Sequence, residues 1–254
     1  MRALIVSDIH ANLAALEAVL RDAAGKWDIM ACLGDIVGYG PDPNEAVARV
    51  METADIVLLG NHDLAACGRI DIAWFSVRAR IAMEWTMKRI SADSLGAFAG
   101  LRPIEERYGI LFSHGNPADP VWGYVLDSAD AAEAFRARNF RLCLLGHSHT
   151  SAAFSAAEGG PRTDGLSLPA LFAPKDLPFA KAGADLPVGN RRWILNPGSV
   201  GFPRTAEEAP SRGGTARAIA RYALLDLDSM RWSFMKAVYD MRPTAARMRD
   251  EGLW

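Results

Sequence analysis

The chain has 254 residues, of which 50% are hydrophobic and 23% are charged, and this balance excludes a disordered or fibrous protein. The length is sufficient to bury a large core without disulfides, so we expect a single domain over residues 1–254. A net charge of −2 argues against a protein that wraps nucleic acid through its overall charge.

Cysteine usage and the first residues bear on the compartment. Cys32, Cys67 and Cys143 are far apart in the sequence, which favours free thiols in a reducing environment. The apolar run that opens the chain ends at Ser7 and is too short for a signal peptide. Because no segment reaches the ~20 apolar residues of a membrane span, we expect a cytoplasmic protein without membrane contacts.

Short apolar runs without alternation predict β-strands that are covered on both faces. In chain order, they occupy residues 3–6, 29–33, 56–59, 110–112, 142–145 and 193–195. Two further runs, 222–227 and 232–239, are separated by four turn residues and predict a C-terminal β-hairpin.

Helical patterns lie between these strands. Asn12 is placed to cap a helix over 13–21, although it could instead contact substrate, and Asp42-Pro43 opens a helix over 44–52. Residues 72–99 predict two helices that divide near Ser91, and 128–139 predict another. The tryptophan- and methionine-rich stretch 72–99 indicates a core and cap layer, with a nucleobase platform as the alternative. Alternation of strands and helices predicts an α/β fold.

Residues 151–190 differ in composition from the rest of the chain. Gly, Pro, Ala and Ser dominate there, and long apolar runs are few. We therefore expect an irregular insertion that adds no strand and lies over the functional site, where it limits access to small substrates.

All five histidines stand in polar clusters that directly follow predicted strands. Since open α/β sheets bind their ligands at the carboxyl ends of parallel strands, we expect these clusters to converge in space. The clusters are Asp8-Ile9-His10, Gly34-Asp35, Gly60-Asn61-His62-Asp63, Ser113-His114-Gly115 and Gly146-His147-Ser148-His149.

These clusters suit a pair of metal ions. Carboxylate, imidazole and amide oxygen are ligands for Mn²⁺, Fe or Zn²⁺. Asp8 and His10, two positions apart, can point to the same side, as can His147 and His149. One carboxylate can bridge two ions, and Asp35 is the natural candidate because Gly34 allows close approach.

The ordered pattern D-x-H, G-D, G-N-H-D, H and G-H-x-H resembles that of the calcineurin-like metallophosphoesterases. Residues 194–204, with their Asn-Pro-Gly-Ser segment, are similar to the small bacterial subgroup of YfcE-type phosphodiesterases. The resemblance covers residues 1–240 apart from 151–190. It implies a four-layer α/β/β/α sandwich, here with the C-terminal hairpin and the irregular insertion.

The resemblance also implies a division of labour in the site. Asp8, His10, Asp35 and His149 would hold one ion, and Asp35, Asn61, His114 and His147 the other. Mn²⁺ is the first choice, with Fe, Zn²⁺ and Ni²⁺ as alternatives. A hydroxide bridging the ions would attack phosphorus. His62 would remain unligated and protonate the leaving oxygen.

The substrate would contact three residues: Asn61, His62 and Arg204. Arg204 ends the loop that begins at Asn196, and a guanidinium fork matches phosphate geometry. The solvated side of an arginine-rich stretch is the alternative position for it.

One departure from the wider superfamily narrows the substrate class. Protein phosphatases of this group carry G-D-x-x-D-R-G, whereas Gly38 and Tyr39 stand in the places of the second Asp and the Arg. A protein phosphatase is therefore disfavoured. Asp63 could replace the missing Asp by orienting His62, or it could cap a helix from Leu64 onward.

The function expected is hydrolysis of small phosphodiesters or phosphomonoesters. One alternative is a binding scaffold of the same fold, but such a scaffold has lost the histidine that is intact here as His62. The other is a nuclease of the superfamily, for which the length and the net charge leave little room. Association into homo-oligomers stays open.

Overall fold

The computed structural model describes residues 1–157, 185–188, 191–202 and 217–253. In these ranges, strands and helices alternate along the chain. The elements are β1 (Arg2–Val6), α1 (Leu13–Asp22), β2 (Ile29–Cys32), α2 (Pro43–Thr53), β3 (Ile56–Val57), α3 (Asn61–Ala66), a 3₁₀ turn (Ile72–Trp74), α4 (Val77–Arg89), α5 (Ala92–Ala97), β4 (Ile104–Arg107), β5 (Ile110–Ser113), α6 (Ser128–Ala137), β6 (Leu142–Leu145), β7 (Ala152–Ala157), β8 (Asp185–Pro187), β9 (Arg191–Asn196), β10 (Arg217–Asp226), β11 (Arg231–Asp240) and α7 (Arg242–Asp250).

The strands form two mixed sheets. One has the order β3-β2-β1-β10-β11-β8, and the other has the order β4-β5-β6-β9-β7. Within them, β1, β2 and β3 run parallel, as do β5, β6 and β9. The predicted hairpin is confirmed: β10 and β11 pair antiparallel from Arg217–Asp240 to Asp226–Arg231.

Three hydrophobic cores separate four layers, as predicted. Leu4 and Val6 of β1 face α1 and α2, whereas Ile5 faces the second sheet. On the far side of that sheet, Phe135 of α6 packs in a third core with Cys143 of β6. The parallel strands β1, β2, β5 and β6 are thus buried on both faces, which explains their continuous apolar runs.

The helix caps agree with the sequence patterns, with one difference. The Asn12 side chain accepts a hydrogen bond from the Ala15 amide at 3.2 Å, and Ser91 caps α5 where the stretch 72–99 divides. Asp42 precedes α2 but makes no side-chain cap; its carboxylate pairs with Arg247 of α7 instead.

The prediction that residues 151–190 add no strand is wrong. Strand β7 pairs antiparallel with the whole of β9, and β8 pairs with β11. The run Ala152–Ala157 contains no β-branched residue, so its propensity gives no signal, and pairing at the sheet edge decides its structure. The rest of the proposed insertion, residues 158–184, lies outside the described residues.

Two further expectations can be compared with the fold. Cys32 and Cys143 are buried in the cores, as expected, and burial raises the pKa of both thiols. Among the residues described, none of the helices has the length and apolar character needed to span a bilayer.

Candidate metal centre

The parallel strands of both sheets deliver polar side chains to one region. Loops after β1, β2 and β3 carry Asp8, Asp35 and Asn61, and loops after β5 and β6 carry His114 and His147. Backbone hydrogen bonds join these loops: the Asp8 amide donates to Gly34 at 3.0 Å, and the Gly146 amide donates to His114 at 2.9 Å. The convergence expected from the sequence is therefore present.

Four side chains carried by these loops form a first cluster: Asp8, His10, Asp35 and His149. Their ligand atoms all lie within 4.8 Å of one another. Nε2 of His149 lies 3.5 Å from Oδ1 of Asp8. Nε2 of His10 lies 3.7 Å from Oδ2 of Asp35. All four residues are buried.

A second cluster shares Asp35 with the first. Asp35, His114 and His147 also have ligand atoms within 4.8 Å of one another. The other oxygen of Asp35, Oδ1, lies 3.6 Å from Nε2 of His114. Oδ1 of Asn61 lies 3.2 Å from the same nitrogen, so the amide stands beside this cluster.

The protonation of the imidazoles fits cation binding. In each of three rings, Nδ1 donates to a backbone carbonyl: His10 to Val37 at 3.2 Å, His114 to Leu33 at 2.9 Å and His149 to Phe202 at 2.7 Å. In a neutral ring so oriented, Nε2 carries a lone pair and no proton. Nitrogen lone pairs and buried carboxylate oxygens that face a common point require a cation there. The residues present therefore fit divalent metal ions.

The backbone beneath the clusters is unusual. The ligand candidates Asp8, His10, Asp35, His147 and His149 all have positive φ angles, between 51° and 63°. Residues with side chains rarely adopt this left-handed region, and such strain is found mainly at functional sites. The sharp turns let residues two apart, such as His147 and His149, reach different clusters.

His62 belongs to neither cluster and lies against both. Its backbone amide donates to Oδ1 of Asp35 at 2.9 Å, and its ring centroid is 4.8 Å from that of His10. Nδ1 of His62 lies 3.2 Å from the sulfur of Met83. The backbone of Gly38 passes so close to the same ring edge that an added Cβ would overlap it. The Nδ1 edge of the His62 ring is therefore packed against Met83 and Gly38.

Of the two roles that the sequence suggested for Asp63, the structure favours the helix cap, although Asp63 acts from within α3 as a capping-box residue and not from in front of Leu64. Its carboxylate accepts hydrogen bonds from the amides of Gly60 at 2.9 Å, Ile36 at 2.9 Å and Val37 at 3.0 Å. It thereby joins the start of α3 to the loop that carries Asp35. Burial raises the pKa of Asp63, and the three amides act in the opposite direction.

A cavity of about 280 Å³ opens over the clusters. Its lining includes members of both clusters, namely Asp35, His147 and His149, together with Asn61 and His62. Ligand sites for drug-sized molecules start near 300 Å³, so this cavity suits a small molecule. The remaining lining residues are largely aromatic: Tyr39, Trp74, Phe75, Trp122 and Tyr124.

The substrate-binding residues expected from the sequence are only partly visible. Asn61 and His62 line the cavity, but Arg204 lies outside the described residues. Asn12 is buried as a helix cap, and its amide donates to Gly201 at 3.0 Å and to Tyr239 at 2.9 Å. Its hydrogen bonds indicate a structural role.

The sequence did not point to Arg78. Its guanidinium lies 5.0 Å over the ring of Phe202, which stacks on Tyr39 of the cavity wall at 4.2 Å. Arg78 is exposed and stands in a helix rich in interleaved charges, so nothing in the pattern distinguished it. It places a positive charge near the mouth of the cavity.

Comparison with known proteins agrees with this geometry. Residues 1–211 match the calcineurin-like phosphoesterase superfamily domain. An uncharacterised protein of Methanocaldococcus jannaschii is 31% identical over 245 residues, which cover 94% of this chain and 88% of that protein. The crystal structure of a metallophosphoesterase from Sphaerobacter thermophilus is 38% identical and superimposes with a TM-score of 0.79, covering 100% and 95% of the two chains. A hypothetical protein of Pyrococcus horikoshii, 17% identical, shares the fold with a TM-score of 0.67 over 100% and 94%.

Proposed function

The chain belongs to the calcineurin-like phosphoesterase superfamily and is a metal-dependent phosphoric ester hydrolase, and from this premise we propose that it cleaves small phosphodiesters, and also phosphomonoesters, at a centre of two divalent ions. The observation that carries the proposal is the position of Asp35. It is the carboxylate common to both clusters, with one oxygen toward His10 and the other toward His114.

The proposed ligands divide between two sites. Asp8, His10, Asp35 and His149 would hold one ion, and Asp35, Asn61, His114 and His147 the other. Mn²⁺ is the ion we favour, since hard oxygen ligands and imidazoles are combined without a thiolate. When bound, a pair of such ions activates water as the nucleophile and neutralises the charge that develops on the phosphoryl group.

His62 is the proposed general acid. Its Nδ1 edge is packed against Met83, and the residue lines the cavity, so Nε2 on the opposite edge is the nitrogen suited to donate a proton. Histidine is the side chain used most often for proton transfer to a reacting group near neutral pH. Protonation of the leaving oxygen matters most for alcohols, which are poor leaving groups.

A cation should hold the phosphoryl oxygens, because the Asp and Arg helpers of the protein phosphatases are missing at Gly38 and Tyr39. We propose Arg204 for this role from its position at the end of the Asn196 loop. Arg78 is a described cation beside that loop, with its guanidinium 5.0 Å from the ring of Phe202. Alanine variants of Arg204 and Arg78 distinguish the two candidates. Loss of the arginine that binds phosphate should raise KM for all esters without changing the metal content.

The test combines metal analysis with a substrate panel. Protein stripped with a chelator and reloaded with Mn²⁺ should bind two equivalents and hydrolyse small diesters, while the stripped protein should be inactive. Salt-dependent retention on DNA distinguishes the nuclease alternative, because counterion release makes such binding strongly dependent on salt. One equivalent of metal at saturation would contradict the dinuclear centre, and hydrolysis without metal would contradict the mechanism.

A further inference from the structure

We propose that the aromatic wall of the cavity binds a flat ring on the leaving group of the substrate, so that the preferred esters are those of nucleosides or similarly ring-bearing alcohols. This inference rests on the proposed function, because it concerns the same site. It adds the substrate class that the metal centre alone does not specify.

The first observation is the exposure of Trp74. This side chain lines the cavity, yet 79% of it is accessible to solvent, the highest value among the large apolar side chains of the described residues. Exposing an indole to water is unfavourable by about 25 cal/mol for each Å² of apolar surface. A large exposed apolar surface at the mouth of a cavity indicates a ligand contact.

The second observation is that Trp74 is held in place. It ends a 3₁₀ turn whose first residues are capped by Asp71, which accepts from the Ala73 amide at 2.8 Å. The next residue, Phe75, is buried with its ring 4.9 Å from His62 and 5.1 Å from Trp122. Because Phe75 anchors the turn, the backbone that carries the indole is positioned before any ligand arrives, which lowers the entropy lost on binding.

The aromatic residues come from two separate segments. Trp74 and Phe75 precede α4, whereas Trp122 and Tyr124 follow His114 in the chain. Tyr124 stacks on the ring of His147, with centroids 4.1 Å apart and planes inclined by 24°. The wall therefore continues from the neighbourhood of His62 to the second cluster, and it offers ring faces and edges rather than charges.

The position of Phe75 identifies which part of the substrate meets this wall. Phe75 touches His62, the proposed donor of the proton to the leaving oxygen. The group that leaves must therefore lie on the side of Phe75 and Trp74. Stacking on an aromatic side chain strengthens the binding of a base and tolerates any base, because each has a π face.

The experiment compares esters that differ only in the ring. Adenosine 5′-phosphate and ribose 5-phosphate, and their methyl diesters, share the same primary alcohol as leaving group, so the chemistry of bond cleavage is matched. We expect the Mn²⁺-loaded wild-type enzyme to prefer the adenosine ester in kcat/KM. An n-hexyl ester tests whether the wall selects apolar chains in general.

The variant Trp74→Ala should reduce this preference by roughly 5- to 150-fold, the range expected for one lost base–aromatic stack. Trp74→Phe should restore most of it. The matched control is Tyr108→Ala, since Tyr108 is also an exposed aromatic residue, at 55%, but does not line the cavity. It should leave the ratio of the two kcat/KM values unchanged.

Two outcomes would overturn the inference. One is a wild-type enzyme that hydrolyses the ribose or hexyl ester as well as the adenosine ester. The other is a Trp74→Ala variant in which kcat/KM falls by the same factor for both matched esters. In either case hydrolysis of the ribose ester would still support the proposed function, whereas absence of metal-dependent hydrolysis of every ester would contradict the function itself.

Discussion

Nε2 of His10 and Nε2 of His149 lie 3.0 Å apart, although the two residues are 139 positions apart in the sequence. Each ring donates its Nδ1 proton to a carbonyl, so two lone pairs face each other. Two lone pairs at this separation repel each other, whereas a cation bound between the rings and the carboxylates would be coordinated by both nitrogens. Asp35 lies between the two clusters, because one oxygen of its carboxylate faces His10 and the other faces His114.

Asp35→Asn should therefore remove more metal than His10→Ala. The first change would weaken a ligand common to both proposed ions, whereas the second would remove one ligand from one of them. We expect well under one equivalent of Mn²⁺ in the Asp35 variant and between one and two in the His10 variant. Elemental analysis after dialysis measures both. Two full equivalents in Asp35→Asn would contradict the bridging role.

His62→Ala should retain both ions and lose roughly 10²- to 10⁴-fold in kcat, the usual contribution of a general acid. The loss should be smaller for p-nitrophenyl esters than for alkyl esters, because p-nitrophenolate leaves without protonation. Steady-state rates on both ester types provide the measurement. If the loss were equal for both, His62 would act on something other than the leaving group.

Gly38→Ala should lower kcat by displacing the His62 ring. Gly38 has φ of +90°, and an added Cβ would meet that ring. The matched control is Gly109→Ala, where φ is +71° and no atom lies within 4 Å of an added Cβ. Both changes force a side chain into the left-handed region and should cost about 1–2 kcal/mol of stability.

Only Gly38→Ala should alter the rate, however, and its metal content should stay at the wild-type value. Denaturant unfolding, kinetics and metal analysis of the two variants separate strain from displacement. Equal rates in the two variants would show that the position of the His62 ring does not depend on Gly38.

Asp63→Asn should destabilise the protein by about 1–3 kcal/mol, because it leaves a buried amide without an acceptor. Asp127 also accepts from two backbone amides, at 2.8 and 3.1 Å, but in an exposed position, and Asp127→Asn should cost less than about 1 kcal/mol. Urea unfolding with a chelator present excludes the contribution of bound metal. A larger effect at Asp127 would contradict the role assigned to Asp63.

Asp63→Asn should also weaken metal retention, because one amide oxygen cannot accept both from Gly60 and from the Ile36 and Val37 amides, so the link between α3 and the loop that carries Asp35 is lost. This second effect distinguishes positioning of a ligand from a purely structural role. Competition with a metal chelator of known affinity measures it.

The apolar runs predicted the α/β fold and the convergence of the site for a physical reason, whereas the four layers were implied by the family resemblance. A strand covered on both faces needs an unbroken apolar run, so β1 and β6 were visible from residues 3–6 and 142–145. Because β1 pairs parallel with β2 and β6 pairs parallel with β5, the clusters that follow these strands lie at the same end of each sheet. Strand β7 was not predicted, because its run of four alanines, one phenylalanine and one serine has low strand propensity. Pairing with β9 makes it a strand.

Individual side-chain contacts within the site could not be predicted from the sequence. Asp63 follows His62 directly, and adjacency suggested a direct effect on that ring or a helix cap. The contact with Gly60 is the local cap, but the other two partners, Ile36 and Val37, are 27 and 26 positions earlier, and no local pattern encodes a contact of that range. The sequence likewise gave no role to Trp74 or Arg78, because only the fold brings the 3₁₀ turn and the start of α4 to the cavity.

The left-handed conformation of Asp8, His10, Asp35, His147 and His149 has a consequence for laboratory evolution. Glycine and, less strongly, asparagine adopt that conformation with little strain, so a change to either residue would relieve backbone strain and at the same time remove a proposed metal ligand. Asparagine at positions 8 and 35 keeps one acceptor oxygen for the backbone amides that Asp8 and Asp35 bind, and a library selected for thermal resistance alone, in the presence of a chelator, should accumulate it there. Selection for heat resistance in this enzyme should therefore be combined with selection on turnover.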